Sequence, residues 1–81
     1  MKVEETKYSR MNFIGWIEVR DSMYAVMEHK GIIHVQKYVK GNKVIGAVRT
    51  YDKSTFKDFL EQIRELGGEY PQKVGKLTGE A

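Results

Sequence analysis

Between residues 12 and 51, short hydrophobic runs are separated by turn residues. Four of these runs are rich in β-branched and aromatic side chains, and they cover residues 13–20, 23–28, 32–40 and 43–51. Such runs are typical of β-strands. The connections, among them Asp21-Ser22 and Gly41-Asn42, are only two to three residues long. Connections this short join antiparallel neighbours, because parallel strands need a long crossover.

A helical pattern follows the predicted strands. Five apolar residues recur at spacings of three and four, on one face of a helix: Phe56, Phe59, Leu60, Ile63 and Leu66. Asp52 or Ser54 can cap its start, because a side-chain oxygen at either position can accept a hydrogen bond from an unpaired N–H of the first turn. Gly67-Gly68 predicts its end, because glycine readily adopts the left-handed conformation found just past a helix.

These elements predict an α+β fold, a four-stranded antiparallel β-meander followed by one C-terminal helix packed on one sheet face. Residues 12–68 are expected to form this single β-sheet-plus-helix domain. Residues 1–11 are expected to be an N-terminal arm, and residues 69–81, which are poor in apolar side chains, a loosely ordered C-terminal tail. Because one helix covers only one face of a sheet, the other face is expected to be open.

Alternation along the strands assigns side chains to the two faces. The face under the helix is expected to hold Phe13, Ile17, Val19, Ile33, Val35, Val39, Val44 and Val48. The open face is expected to mix aromatic and basic residues: Trp16, Arg20, Tyr38, Lys40, Lys43, Arg49 and Tyr51. The second strand is ambiguous, because either Tyr24 or its neighbours Met23 and Ala25 can point to the open side.

The net charge is small, but it is unevenly distributed along the chain. The 14 Lys and Arg residues exceed the 11 Asp and Glu residues by a net of +3. Residues 29–51 contain five cations and no acid, whereas residues 52–68 contain three cations and four anions. Basic hairpins beside a neutral-to-acidic helix are typical of proteins that bind polyanions.

A sheet face that mixes aromatic and basic residues suits single-stranded nucleic acid, because unpaired bases stack on flat rings while cations contact the phosphates. We therefore expect a small protein that binds nucleic acid, preferentially single-stranded DNA, without sequence specificity. Trp16, Tyr38 and Tyr51 are expected to stack on bases. Arg20, Lys40, Lys43 and Arg49 are expected to hold phosphates.

The same face allows two other functions. One is binding of duplex DNA, as in a chromatin-type protein. The other is binding of a protein, either as an interaction module or as a viral or mobile-element inhibitor. Trp16 fits burial in a dimer, or beneath the N-terminal arm, as well as it fits base stacking. A domain this small often needs a partner subunit for stability, so a homodimer is predicted.

Three motifs resemble the positive-cofactor-four family of single-stranded DNA-binding domains and, more loosely, the Whirly family. They are Val19-Arg20-Asp21, Ile33-His34-Val35-Gln36-Lys37-Tyr38 and the Phe56-x-x-Phe59-Leu60-x-x-Ile63 stripe. The resemblance implies a dimer whose helices pack together and whose curved sheets grip DNA. It also implies DNA contacts for Arg20, Lys37 and Tyr38, although alternation places Lys37 on the helix side. Gly46-Ala47-Val48 departs from the family's last strand, and the tryptophan common in its helix is absent.

Other chemistry finds little support in the sequence. The chain has no cysteine, which excludes disulfides and thiol catalysis. His29 and His34 lack a third ligand at clear spacing, so no metal site is expected. Glu18 and Glu28 lack a substrate pocket, so no enzyme activity and no cofactor are expected. No signal peptide or membrane span is visible, and we expect a cytoplasmic protein.

Overall fold

The structure is a computed structural model that describes residues 11–39, 43–44 and 48–80, with residues 43–44 described through their backbone alone. Its strands are β1 (Asn12–Val19), β2 (Ser22–His29), β3 (Ile32–Val39), β4 (Lys43–Val44) and β5 (Arg49–Tyr51), and its helices are α1 (Lys53–Glu65) and α2 (Gln72–Lys76). β1, β2 and β3 form an antiparallel meander, and β4 and β5 both pair antiparallel with β3. The predicted α+β meander followed by a helix is confirmed.

Two-residue turns join the first three strands. Arg20-Asp21 connects β1 to β2, and Lys30-Gly31 connects β2 to β3. Arg20 and Lys30 have positive φ angles of 55° and 54°, and Gly31 has a φ of 81°. Positive φ at the first turn residue matches the twist of the flanking antiparallel strands. The prediction that Arg20 lies on the sheet face is therefore wrong, because Arg20 forms the turn at the end of the sheet.

The predicted fourth strand is interrupted. Tyr38 pairs with Val44 and Val35 pairs with Arg49, so a separation of three residues along β3 corresponds to one of five residues between β4 and β5. The difference of two is even, so the backbones of β4 and β5 follow the same alternation of faces.

A β-bulge near the start of β1 also changes the predicted faces. Phe13 pairs with Met27 whereas Gly15 pairs with Val26, so the register shifts between Phe13 and Gly15. Phe13 therefore lies on the face opposite the helix, and its predicted place in the core is wrong. Gly15 faces the helix side, where an added Cβ would lie 2.8 Å from Pro71 Cγ.

The core lies between α1, α2 and one face of the sheet. Its members are Ile17, Val19, Val26, Ile33, Val35, Phe56, Leu60, Ile63 and Val74, all at most 6% exposed. Tyr24 and Tyr51 join its margin by packing against Phe59, with ring centroids 5.3 Å apart in each pair. The apolar stripe of α1 is thus used to cover the sheet of its own chain.

Both ends of α1 form standard caps. The Asp52 carboxylate accepts a hydrogen bond from the Thr55 backbone N–H at 2.9 Å, and the Thr55 hydroxyl accepts from the Asp52 N–H at 3.0 Å. The backbone hydrogen bond from Thr55, aided by hydrogen bonds from the side chains of Ser54 and Thr55, lowers the pKa of Asp52. At the other end, Gly67 has a φ of 82° and Gly68 N–H donates to the Ile63 carbonyl at 2.8 Å, in a Schellman motif.

The C-terminal segment packs against the domain instead of forming the loose tail that the sequence predicts. Glu69 exchanges two backbone hydrogen bonds with Glu18, at 2.9 Å and 2.8 Å, along the outer edge of β1. α2 then places Val74 in the core with 0% exposure. The segment 69–80 therefore belongs to the domain.

A polar cluster fixes the end of that segment against α1. The Arg64 guanidinium donates to the Tyr70 hydroxyl and, at 3.0 Å, to a Glu80 carboxylate oxygen, and the Tyr70 hydroxyl contacts the same carboxylate at 3.1 Å. The Tyr70 hydrogen bond, followed by that of Glu80, raises the pKa of Arg64. Partial burial, followed by the hydrogen bond to Glu80, raises the pKa of Tyr70.

Candidate binding surface

The strand register defines which side chains share the sheet face opposite α1, which we call the open face. Trp16 lies opposite Ala25, which lies opposite Gln36. The cross-strand pairs on either side of these three residues follow the same register. The described residues of the open face are Phe13, Trp16, Glu18, Met23, Ala25, Met27, His29, Ile32, His34, Gln36, Tyr38 and Thr50, with Glu69 opposite Glu18 at the edge of β1.

Three aromatic side chains form a continuous row across the open face. Phe13 and Trp16 are in edge contact with ring centroids 5.6 Å apart, and Trp16 and Tyr38 are in edge contact at 5.5 Å. The row crosses from β1 to β3 above β2, where Ala25 is small enough to lie beneath it with 5% exposure. Phe13 remains 54% exposed and Trp16 39% exposed. We call Phe13, Trp16 and Tyr38 the aromatic row.

Methionines complete the apolar part of the open face. Met27 is 8% exposed and lies between its cross-strand neighbours Phe13 and His34. Met23 is half-buried between Glu18 and Tyr38. Unbranched, polarisable side chains of this kind adapt to partners of different shape and make favourable contacts with aromatic rings. The sequence left the orientation of β2 undecided, and the structure places Met23, Ala25 and Met27 on the open side.

Two predicted site residues of the last strand lie on the opposite face. Arg49 pairs with Val35 and Tyr51 pairs with Ile33, so both point to the helix side. The cause is burial of the Tyr51 ring, which stacks on Phe59 with an interplanar angle of 26°. The predictions that Arg49 and Tyr51 lie on the open face are therefore wrong.

The remaining predicted cations also lie away from the described open face. Lys37 pairs with Tyr24 and so lies on the helix side, as alternation predicts. Lys40 lies outside the described residues. Lys43 is described only by its backbone, which pairs with Val39 at the end of the sheet that also carries Arg20. Among its described residues, the open face carries two formal charges, those of Glu18 and its cross-strand neighbour Glu69.

A cleft borders the open face at the outer edge of β1. It has a volume of about 320 Å³ and is lined by Trp16, Glu18, Glu69, Tyr70 and Pro71. The cleft forms because the chain pairs with β1 only at Glu69 and then turns away at Pro71 into α2. We call it the edge pocket. Sequence reasoning missed it, because its two walls are 51 residues apart along the chain, from Glu18 to Glu69.

Comparison with known proteins identifies no relative: no family model, curated protein or solved structure matches the chain. The resemblance to the positive-cofactor-four family therefore stays a prediction. Within the described ranges, neither helix is long and apolar enough to cross a membrane. The same residues contain no group of three or more His, Asp or Glu side chains placed to hold a metal ion.

Proposed function

We propose that the chain is an intracellular protein-interaction module that binds a segment of another protein on its open face. The observation that carries the proposal is the aromatic row, which lies beside Met23 on a sheet face whose described charges are those of Glu18 and Glu69. Exposed apolar patches on small proteins commonly mark interaction sites. Aromatic residues and methionine are enriched in protein interfaces, and tryptophan and tyrosine often dominate their binding energy.

The exposed part of the row offers a useful but limited binding energy. Phe13 at 54% and Trp16 at 39% exposure together leave roughly 200 Å² in contact with water, if an aromatic side chain buries about 150–250 Å² in full. At about 25 cal/mol per Å², covering this area contributes about 5 kcal/mol. Association itself costs about 4–15 kcal/mol. The row can therefore anchor a partner only together with other contacts, and Met23 and the edge pocket lie next to it.

Single-stranded DNA binding is the second candidate. Exposed rings on a sheet suit base stacking, and Arg20 lies at the same end of the sheet as Tyr38 and the backbone of Lys43. In this function Trp16 and Tyr38 would stack on bases and Arg20 would hold a phosphate. It ranks second because phosphate contacts supply much of the affinity for nucleic acids. The described open face offers no cation for them.

The interaction proposal includes a homodimer, in which the bound partner is a second copy of this chain. The family resemblance implies a dimer built from packed helices, but Phe56, Leu60 and Ile63 of α1 are at most 2% exposed within their own chain. A dimer would therefore use the open face. Sedimentation velocity of the wild type and of a variant altered in the aromatic row separates a second copy from a different partner.

Partner capture with matched variants tests the proposal. The bait is the full chain, and the extract is nuclease-treated so that nucleic acid cannot bridge proteins. The test variant is Phe13→Ser combined with Tyr38→Ser, which removes two members of the row. The control is Leu66→Ser, which alters an apolar side chain that is 49% exposed and lies outside the open face.

We expect at least one protein to be retained by the wild type and by the Leu66→Ser control but lost from the double variant. The purified partner must then bind the wild type directly. If every captured protein is retained equally by all three baits, the open face is not the binding surface.

Trp16 fluorescence separates the two candidates. Trp16 is the only tryptophan of the chain, so its emission reports on the aromatic row alone. Single-stranded and duplex DNA of equal length are titrated at low and moderate salt. Quenching by single strands at micromolar protein, weakened by salt, would establish the DNA-binding candidate. An unchanged spectrum with both DNAs favours the protein-interaction proposal.

A further inference from the structure

The backbone geometry holds two glutamates side by side at the edge pocket. Glu18 and Glu69 are directly opposite in an antiparallel pair, joined by both backbone hydrogen bonds. Paired residues of this kind point to the same face, with Cβ atoms about 4.5–5.5 Å apart, and like charges in this arrangement are destabilising. In the described part of the chain, neither carboxylate forms an ion pair. The fold therefore keeps two adjacent negative charges that a cation would neutralise.

An aromatic surface lies next to these charges. Trp16 is two residues before Glu18 on the same strand, so both point to the open face, and both line the edge pocket. The face of an indole attracts cations through its quadrupole. Pro71 and Tyr70 complete the cleft of about 320 Å³. Two carboxylates beside an exposed indole are groups that attract a positively charged ligand.

We propose that the edge pocket binds the guanidinium group of an arginine from the partner segment. This proposal rests on the proposed function and specifies the chemistry of the partner. A guanidinium is planar, so it can stack on the Trp16 indole, and its fork of N–H donors can bond to more than one carboxylate oxygen. A lysine ammonium matches the charge but not the planar shape, so it binds more weakly.

Among the described residues only Glu69 pairs with the outer edge of β1, and the rest of this edge can align the segment that carries the arginine. The Glu18 backbone N–H and C=O point outward to Glu69, so those of Trp16, two residues earlier, point outward as well. An extended segment can pair with them while its arginine enters the pocket. Strand addition of this kind combines main-chain affinity with side-chain selectivity.

Nuclear magnetic resonance with small probes tests the pocket on the full chain. The probes are N-acetyl-arginine amide, its neutral analogue N-acetyl-citrulline amide, N-acetyl-lysine amide and guanosine. The readout is the indole N–H resonance of Trp16, which is unambiguous because the chain has one tryptophan. The test variant combines Glu18→Gln with Glu69→Gln. The matched control combines Glu61→Gln with Glu65→Gln, which removes the same charge from exposed positions of α1.

We expect saturable binding of the arginine amide, at least tenfold weaker binding of the citrulline amide, and intermediate binding of the lysine amide. The Glu18/Glu69 variant should lose at least tenfold in affinity for the arginine amide, and the Glu61/Glu65 control should stay within twofold of the wild type. Equal affinity for the arginine and citrulline amides, or equal loss in both variants, would overturn the proposal. Tighter binding of guanosine than of the arginine amide would also overturn it, because the pocket would then select a nucleobase.

The two proposals can fail separately. If the captured partner binds the Glu18/Glu69 variant as tightly as the wild type, the arginine proposal is wrong and the open-face proposal stands. Because both substitutions are isosteric and lie at exposed positions, the variant should give the wild-type pattern of amide resonances. That pattern shows whether a loss of binding reflects the pocket or a loss of the fold.

Discussion

Substitution of Val74 by alanine tests whether the C-terminal segment is part of the cooperative core. The Val74 side chain has 0% exposure. Removing two methyl groups costs about 1.6 kcal/mol, at about 0.8 kcal/mol per buried carbon. If the neighbours do not close the void, roughly 40 Å³ of cavity adds about 1 kcal/mol, at about 24 cal/mol per Å³. The free energy of unfolding should therefore fall by about 1.6–2.6 kcal/mol.

Urea denaturation followed by circular dichroism and by Trp16 fluorescence measures this loss. For a chain of this size it corresponds to a fall in melting temperature of roughly 6–20 °C. The control is Leu66→Ala, at a side chain that is 49% exposed, where a change of no more than about 0.5 kcal/mol is expected. If Val74→Ala unfolds at the same urea concentration as the wild type, α2 does not contribute to the core and the packing argument is refuted.

Three further predictions concern local geometry. Gly68→Ala should destabilise the fold by about 1–3 kcal/mol in urea denaturation, because its Cβ would lie 2.6 Å from Ile63 Cγ2; an unchanged midpoint would contradict this contact. Lys30→Asn should raise the melting temperature by relieving a positive φ, and a decrease would argue against the described turn. Asp52→Asn should destabilise the fold at pH 7. Because the folded pKa of Asp52 is lowered from 3.8, this difference should disappear as the pH falls through the folded value, and a gap independent of pH would exclude a charge effect.

Sequence patterns correctly predicted the elements whose determining residues lie close together along the chain. The stripe containing Phe56, Leu60 and Ile63 predicted α1, and Gly67-Gly68 predicted its end. The sequence alone did not distinguish Asp52 from Ser54 as the residue that caps the start of α1. The structure selects Asp52, because Thr55 at the third helical position can return a hydrogen bond to it.

The faces of the strands were harder to predict, because a local irregularity reverses the assignments on one side of it. The bulge between Phe13 and Gly15 moved Phe13 out of the predicted core. In the last strand, Tyr51 packs against Phe59 and therefore points to the helix side. Arg49, two residues earlier, points to the same side. Neither event has a signal in the alternation of residues, because the bulge lies in the pairing of β1 with β2 and the Tyr51 ring packs against a helix.

The candidate site was predicted only in part. Trp16 and Tyr38 lie on the open face as predicted, whereas Arg20, Arg49 and Tyr51 do not. The edge pocket depends on Glu69 pairing with β1, and a segment with one fully buried side chain, Val74, carries too little pattern to reveal that pairing. Because Arg20 and Arg49 lie away from the open face, we rank a protein segment above nucleic acid as its proposed partner.

The dissociation constant of the purified partner for three forms of the full chain tests the central claim most directly. The forms are the wild type, the Phe13→Ser and Tyr38→Ser double variant, and the Leu66→Ser control, each checked for a wild-type melting transition. If each aromatic anchor contributes about 2 kcal/mol, the double variant loses about 4 kcal/mol and should bind roughly 700-fold more weakly, while the control stays within about twofold. Equal affinity for all three forms would contradict the claim that the open face is the binding surface.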